Sequence, residues 1–202
     1  MNILLVSEGK NELLGRDGKG ALARLVRRCL DRQDVSFEER DVRDAKARRH
    51  PGRGNPFKRK IIGWIAIAAS EGFDALVFVI DRDGDPRRQK QGDAAQADTT
   101  RLLPRAVGIA VEAFDAWALA DETALSRVLE HTVSRQPDPE KQREPKQTCT
   151  ELLDQSSVTL SRSEFYAAVA EATRLDRLEQ RCPEGFGVFA ERVRKLGDEA
   201  PR

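Results

Sequence analysis

Residues 75–85 read Ala75-Leu76-Val77-Phe78-Val79-Ile80-Asp81-Arg82-Asp83-Gly84-Asp85. The unbroken apolar run predicts a strand buried on both faces, as found inside a parallel sheet. It stops abruptly at three carboxylates on alternating positions. In open α/β sheets the carboxyl ends of strands are where ligands bind. Neighbouring acids repel one another, a cost that a cation offsets, and an all-oxygen set suits a hard divalent ion such as Mg²⁺. If strand geometry persists through the motif, the Asp81 and Asp83 side chains point the same way and form a two-pronged ligand. Asp-Gly pairs also make turns, so the same residues read equally as a solvated loop at a strand end. An EF-hand loop does not fit. Gly92 stands where its closing Glu belongs, and the preceding segment has strand character.

A second apolar segment sharpens the pattern. Residues 2–7 form a short strand-like run ending at Glu8-Gly9, with Glu12 four residues beyond Glu8. Residues 21–32 follow, with Leu22, Leu25, Val26 and Leu30 at helical spacing. If both strands lie in one parallel sheet, Glu8, Asp81 and Asp83 emerge on the same rim. A third unit, Ala110-Val111-Glu112-Ala113-Phe114-Asp115-Ala116-Trp117-Ala118-Leu119-Ala120-Asp121, follows a predicted strand at 106–111. Its reading predicts a helix beginning near Glu112, with Asp115 on the same face. The acids there serve either as further ligands or as complements to the positive end of the helix dipole, and Trp117 reads as packing.

Together the three segments resemble a TOPRIM-like family of prokaryotic proteins, often encoded beside an ATPase. That family is related to the TOPRIM nucleases of the overcoming-lysogenisation-defect type. Glu8-Gly9, Asp81-x-Asp83 and the E-A-x-x-A-W-x-L-A-D element carry the resemblance. Pro145-Lys146 and Cys182-Pro183-Glu184-Gly185-Phe186 extend it over most of the chain. Lys10-Asn11-Glu12 departs from the Pro-Thr-Glu that commonly follows the first acidic motif, which bears on Glu12 more than on Glu8. The resemblance implies Mg²⁺- or Mn²⁺-dependent phosphodiester hydrolysis on DNA or RNA. Glu8 would be general acid/base or ligand and Asp81 and Asp83 metal ligands, which makes all three catalytic together with Glu112. Asp85 departs from the Gly-Glu that tends to follow the second Asp in topoisomerase-type patterns and would be a water-mediated metal ligand. Asp85 reads equally as the cap of a following helix, with Pro86 at its first position. The resemblance further implies a subunit of a phage-defence or mobile-element system. Two alternatives stay open: a non-catalytic binding subunit working with an ATPase partner, and a small-molecule phosphoryl-transfer enzyme.

Charge supports a local partner, not a global one. The 202 residues are 34% charged yet carry a net charge of only +1. Between Arg43 and Lys60 stand Lys46, Arg48, Arg49, Arg53, Lys58 and Arg59 against one acid, Asp44, among helix-breaking Pro51, Gly52, Gly54 and Pro56. Arg48, Arg49, Arg53, Lys58, Lys60 and the later Lys146 are the candidate nucleic-acid contacts, since phosphate binding needs such cations beside the acids. A charge run of this kind is also simply a solvated surface loop. Residues 57–71 predict an amphipathic helix with Ile61, Ile62, Trp64 and Ile65 on its apolar side.

The expected architecture is an α/β TOPRIM-like core at 1–130 with a mainly parallel sheet of strands at 2–7, 35–41, 75–80 and 106–111. A Pro- and charge-rich connector at 131–147 leads to a small helical extension at 148–202. Cys29, Cys149 and Cys182 fit reduced thiols better than a disulfide frame or zinc site. No secretory signal is apparent, and the apolar stretch at 61–69 is too short to span a bilayer. The expectation is therefore a cytoplasmic protein, with self-association left open.

Overall fold

The computed structural model describes residues 1–9, 13, 19–43, 55–100 and 103–199. The apolar run at 75–80 forms a strand that continues one residue into the acidic motif. This strand, β3 (Ala75–Asp81), is buried from Ala75 to Ile80. It belongs to a four-stranded sheet with β1 (Asn2–Ser7), β2 (Ser36–Asp41) and β4 (Arg105–Ala110). The second strand thus starts one residue later than expected, and the fourth is shifted back by one. The order is β2-β1-β3-β4. Every pairing is parallel, with Leu5 flanked by Glu39 and Val77, and Phe78 opposite Val107.

Parallel neighbours need crossover connections. They are supplied by α1 (Ala21–Leu30), α2 (Pro56–Ser70) and α3 (Arg87–Gln96). The α2 start follows directly from its sequence: Asn55 accepts a hydrogen bond from the Phe57 amide at 3.0 Å, and Pro56 occupies the first turn. Strand alternation divides the core into two layers. Leu4, Val6, Leu76, Phe78, Ile80, Val107 and Ile109 pack with Ile61, Ile62, Trp64 and Ile65 of α2 and Ala95 of α3. Ile3, Leu5, Val77, Val79, Ala106 and Ala110 face the other way, towards α1 and the C-terminal helices.

Beyond β4 come α4 (Asp115–Ala118), α5 (Glu122–Leu129), a 3-10 turn at Pro139–Lys141, α6 (Pro145–Asp154), α7 (Arg162–Ala172), α8 (Leu175–Arg181), a π turn at Pro183–Gly187, and α9 (Val188–Glu199). This helical part closes one face of the sheet: α9 packs on β4 and α1, and α7 on α1. Trp117 is its keystone. The indole stacks on Phe189 with centroids 5.4 Å apart and meets Phe186 and Phe114 at 5.2 and 4.9 Å. Asp121, 1% exposed, caps α5 through the Thr123 and Ala124 amides and also accepts the Arg174 amide at 3.1 Å. The W-x-L-A-D half of the third motif is therefore structural. The segment at 131–147 is tied down as well, because buried Glu140 accepts the amides of Glu184 and Gly185 at 3.0 and 2.7 Å. Among the described residues, no helix is long and apolar enough to cross a membrane.

The C-terminal layer approaches the sheet most closely at Gly108. A Cβ there would lie 2.7 Å from the Phe189 ring and 3.2 Å from Val79 Cγ2. Gly108→Ala should therefore lower the unfolding free energy by about 1–3 kcal/mol, the usual cost of overpacking, as measured by denaturant melts.

Candidate acidic centre at the carboxyl edge of the sheet

The strand order fixes where a site can form. From β1 the chain moves outward to β2, then crosses back over β1 to β3 and on to β4. The winding reverses between β1 and β3, and the crevice outside the carboxyl ends of such a pair is the usual ligand position. Glu8 directly follows β1, Asp81 ends β3, and Glu112 stands two residues beyond β4. Glu8, Asp81, Asp83, Glu112 and Asp115 all line one cleft of about 900 Å³ there.

Asp81 is its electrostatic centre. Its side chain follows Val77 and Val79 onto the face covered by the C-terminal helices and accepts the Phe114 amide at 2.8 Å. Burial pushes the carboxyl up to about 7; the Phe114 amide opposes this, while the negative charges of Asp115, Glu8 and Asp83 add to it. A single amide bond is a weak answer to withdrawing a carboxylate from water among three like charges.

The alternation expected through the motif ends at Asp81. Asp83 and Gly84 both adopt left-handed backbone, at φ 52° and 68°, and the Asp85 amide donates to Arg82 O at 3.0 Å. This is a tight primed turn, which Asp-Gly suits because neither residue strongly resists positive φ. Asp83 consequently stands at the cleft mouth with its side chain 77% exposed, not beside Asp81 as a second prong. Asp85 turns away from the cleft. Its carboxylate accepts the Arg87 amide at 3.0 Å and Arg87 Nε at 2.9 Å, and its carbonyl accepts the Arg88 amide, so it caps α3.

Glu112 does not begin a helix. It sits at φ 59° in the loop between β4 and α4, where its carbonyl accepts the Asp83 amide at 3.3 Å and its carboxylate pairs with Arg82. The helix expected near it starts at Asp115 instead. The Asp115 carboxylate accepts the Tyr166 hydroxyl from α7. Burial, with Cys149 and Asp115 nearby, pushes the Tyr166 phenol far above its ordinary value, so it stays a donor.

Arg88 on α3 binds this acidic group from within the chain. One guanidinium nitrogen donates to Asp81 O at 2.7 Å and lies 3.9 Å from Glu8 Oε2, and the other lies 3.6 Å from Asp83 Oδ2. Basic residues line the same cleft: Arg143, Lys146 and Arg162 come from the helical part, and Arg43, which pairs with Asp41, donates to Glu8 O at 3.2 Å. Of the expected phosphate contacts, Lys146 is thus at the cleft. Lys58 instead pairs with Asp98 at 2.7 Å, and Lys60 lies on α2 outside the cleft lining. Glu12, Arg48, Arg49 and Arg53 lie outside the described residues. Arg82, Arg88, Arg143, Arg162 and Tyr166 were not legible as site residues, since no local motif distinguishes them from the many other charged positions.

The donors fit a hard divalent cation in chemistry: carboxylate oxygens only, one of them on a partly buried acid that a positive charge would stabilise. Among the described residues, however, no three of these acids stand close enough together to hold an ion. Glu8 and Asp83 face Arg88 instead of each other. No protein-family model matches the chain, and neither a curated protein sequence nor a solved structure is significantly similar to it.

Because folding raises the Asp81 carboxyl from 3.8 to about 7, its contribution to stability is fully present below the lower value and is lost as pH rises through the higher one. Asp81→Asn should therefore be less affected than the parent chain by raising the pH from about 4 to 8. Thermal melts of both proteins across that range check this; parallel pH profiles would contradict it.

Proposed function

We propose that the chain is a TOPRIM-like, metal-dependent nuclease whose centre is the carboxyl edge of β1, β3 and β4. The observation that carries this reading is the convergence of Glu8, Asp81, Asp83, Glu112 and Asp115 on one cleft at the winding reversal, with cations in the same lining. Mg²⁺ or Mn²⁺ would be held by Glu8, Asp81 and Asp83 only once these acids draw closer than they stand here, and would then offset the charge growing on the phosphate oxygens and make a water acidic enough to serve as nucleophile near neutral pH. The chain's own residues supply the remainder. Asp81, whose carboxyl is raised to about 7 by burial, is the acid that gains most from a bound cation, which would favour its charged, metal-binding form. Tyr166 holds Asp115 facing the cleft, and Arg82 orients Glu112. Arg88 neutralises Glu8 and Asp83 and must yield them for a cation to bind between them.

The ion pairing of these acids favours a second reading. With Glu8, Asp83 and Glu112 already matched by Arg88 and Arg82, the chain would keep the scaffold and bind nucleic acid for an ATPase partner without cutting it. A cytoplasmic setting suits either role.

Incubation of supercoiled plasmid with the purified protein and Mn²⁺ or Mg²⁺ separates them. The nuclease reading predicts nicking that requires the metal and disappears in a Glu8→Gln/Asp83→Asn variant. Absence of cleavage by the parent protein would favour the binding role. Asp83→Asn alone should also abolish nicking while leaving the melting temperature within about 2 °C, as expected for an exposed surface substitution. A loss of activity that tracks a loss of stability would make Asp83 structural.

A further inference from the structure

Three cations at the start of α6 and α7 are left without a carboxylate partner among the described residues. Arg143 stands two residues before α6, whose cap is Glu144, Lys146 lies in its first turn, and Arg162 begins α7. All three are exposed and line the cleft. Arg143 and Lys146 have no carboxylate partner among the described residues, and Arg162 contacts only a neutral group, donating to Thr150 Oγ1 at 2.8 Å. Elsewhere the chain pairs its arginines freely, as with Arg40 to Glu38 and Glu71, or Arg192 to Asp93. Six acids share the lining, Glu144 among them between Arg143 and Lys146, yet among the described residues none pairs with these three cations. Cations left unmatched in a cleft of about 900 Å³ are suited to an anion that enters it.

The size and lining narrow that anion. The volume falls within the range that encloses a drug-sized molecule, which matches a few nucleotides of one strand, such as a negatively supercoiled plasmid offers where it is locally unpaired. Phe114 and Tyr166 are the aromatic residues of the lining, and they are 3% and 4% exposed. Neither offers a free ring face on which a base could stack. Recognition then falls to phosphates, which arginine holds by fork-like paired hydrogen bonds.

We infer that Arg143, Lys146 and Arg162 form a phosphate track on the α6–α7 wall that takes single-stranded nucleic acid by its backbone, independently of its bases. This rests on the nuclease reading only for the meaning of the acids in the same cleft, and binding is measured without metal, so the two can fail separately.

The test is fluorescence anisotropy of a dye-labelled single-stranded oligonucleotide with the whole chain in EDTA, over a series of salt concentrations. Three phosphate contacts predict a slope of log K against log salt of about −2, at roughly 0.7 per contact on a single strand. Arg143→Ala/Arg162→Ala should flatten the slope by about 1.4, whereas Arg143→Lys/Arg162→Lys keeps it. An abasic strand should bind within about threefold of the normal one, since lost stacking would cost about tenfold or more per base. A duplex of the same sequence should bind at least about tenfold more weakly. Melting temperatures confirm that each variant is folded. An unchanged slope in the folded alanine variant, loss of binding to the abasic strand, equal binding of duplex, or no binding by the parent chain would each overturn the inference. Binding as predicted without metal-dependent cleavage would retain the track and remove the nuclease. Cleavage with an unchanged slope would do the reverse.

Discussion

The Asp81 carboxyl, withdrawn from water at the end of β3 and set among other acids, is the constraint on which the rest of the site depends. Its position is dictated by the fold. Strand alternation carries it onto the face covered by the C-terminal helices, and the loop after β4 brings only the Phe114 amide to meet it. A charge-assisted hydrogen bond contributes about 1.5–3 kcal/mol, which leaves burial and three like charges largely unopposed, so the carboxyl rises to about 7. Much of the surrounding chemistry can be understood as a response. Arg88 reaches back from α3 to Asp81 O, Glu8 and Asp83, and Tyr166 and Arg82 hold Asp115 and Glu112.

The C-terminal helices are part of this arrangement, not an appendage to it. Trp117, Phe186 and Phe189 fix the π turn and α9 against α4 and the sheet, while Asp121 and Glu140 staple the intervening segments through backbone amides. Those contacts position α6 and α7, and with them the cations of these helices. The cleft is thus lined by carboxylates that follow the strands and by cations that come largely from the start of α6 and α7.

What the sequence reveals follows from which interactions are local. The run at 75–80 is readable because a strand buried on both faces must be apolar at every position, and Glu8 and Asp81 are placed at the same edge once both strands are parallel. The geometry of Asp83 is not readable from alternation, because the Asp-Gly turn ends the strand two residues earlier than the carboxylate pattern suggests. Glu112 deceives for a similar reason: helical spacing to Asp115 is present, but a left-handed residue lies where the helix would start. Glu140 looks like part of a charged connector until the amides of Glu184 and Gly185 are seen to converge on it. Arg88 belongs to a polar helix whose charges look interchangeable, and Tyr166 meets Asp115 across 51 residues. Such pairings leave no trace in a local pattern.

Carboxyl-detected NMR titration of the protein, with and without Mg²⁺, tests most directly whether these acids form one coupled centre. Asp81 should titrate near 7 in the free protein. Added Mg²⁺ should bring that midpoint down, because a bound cation favours the charged form. An Asp81 that titrates near the ordinary carboxyl value of 3.8 and does not respond to Mg²⁺ would contradict both the coupling and the metal site.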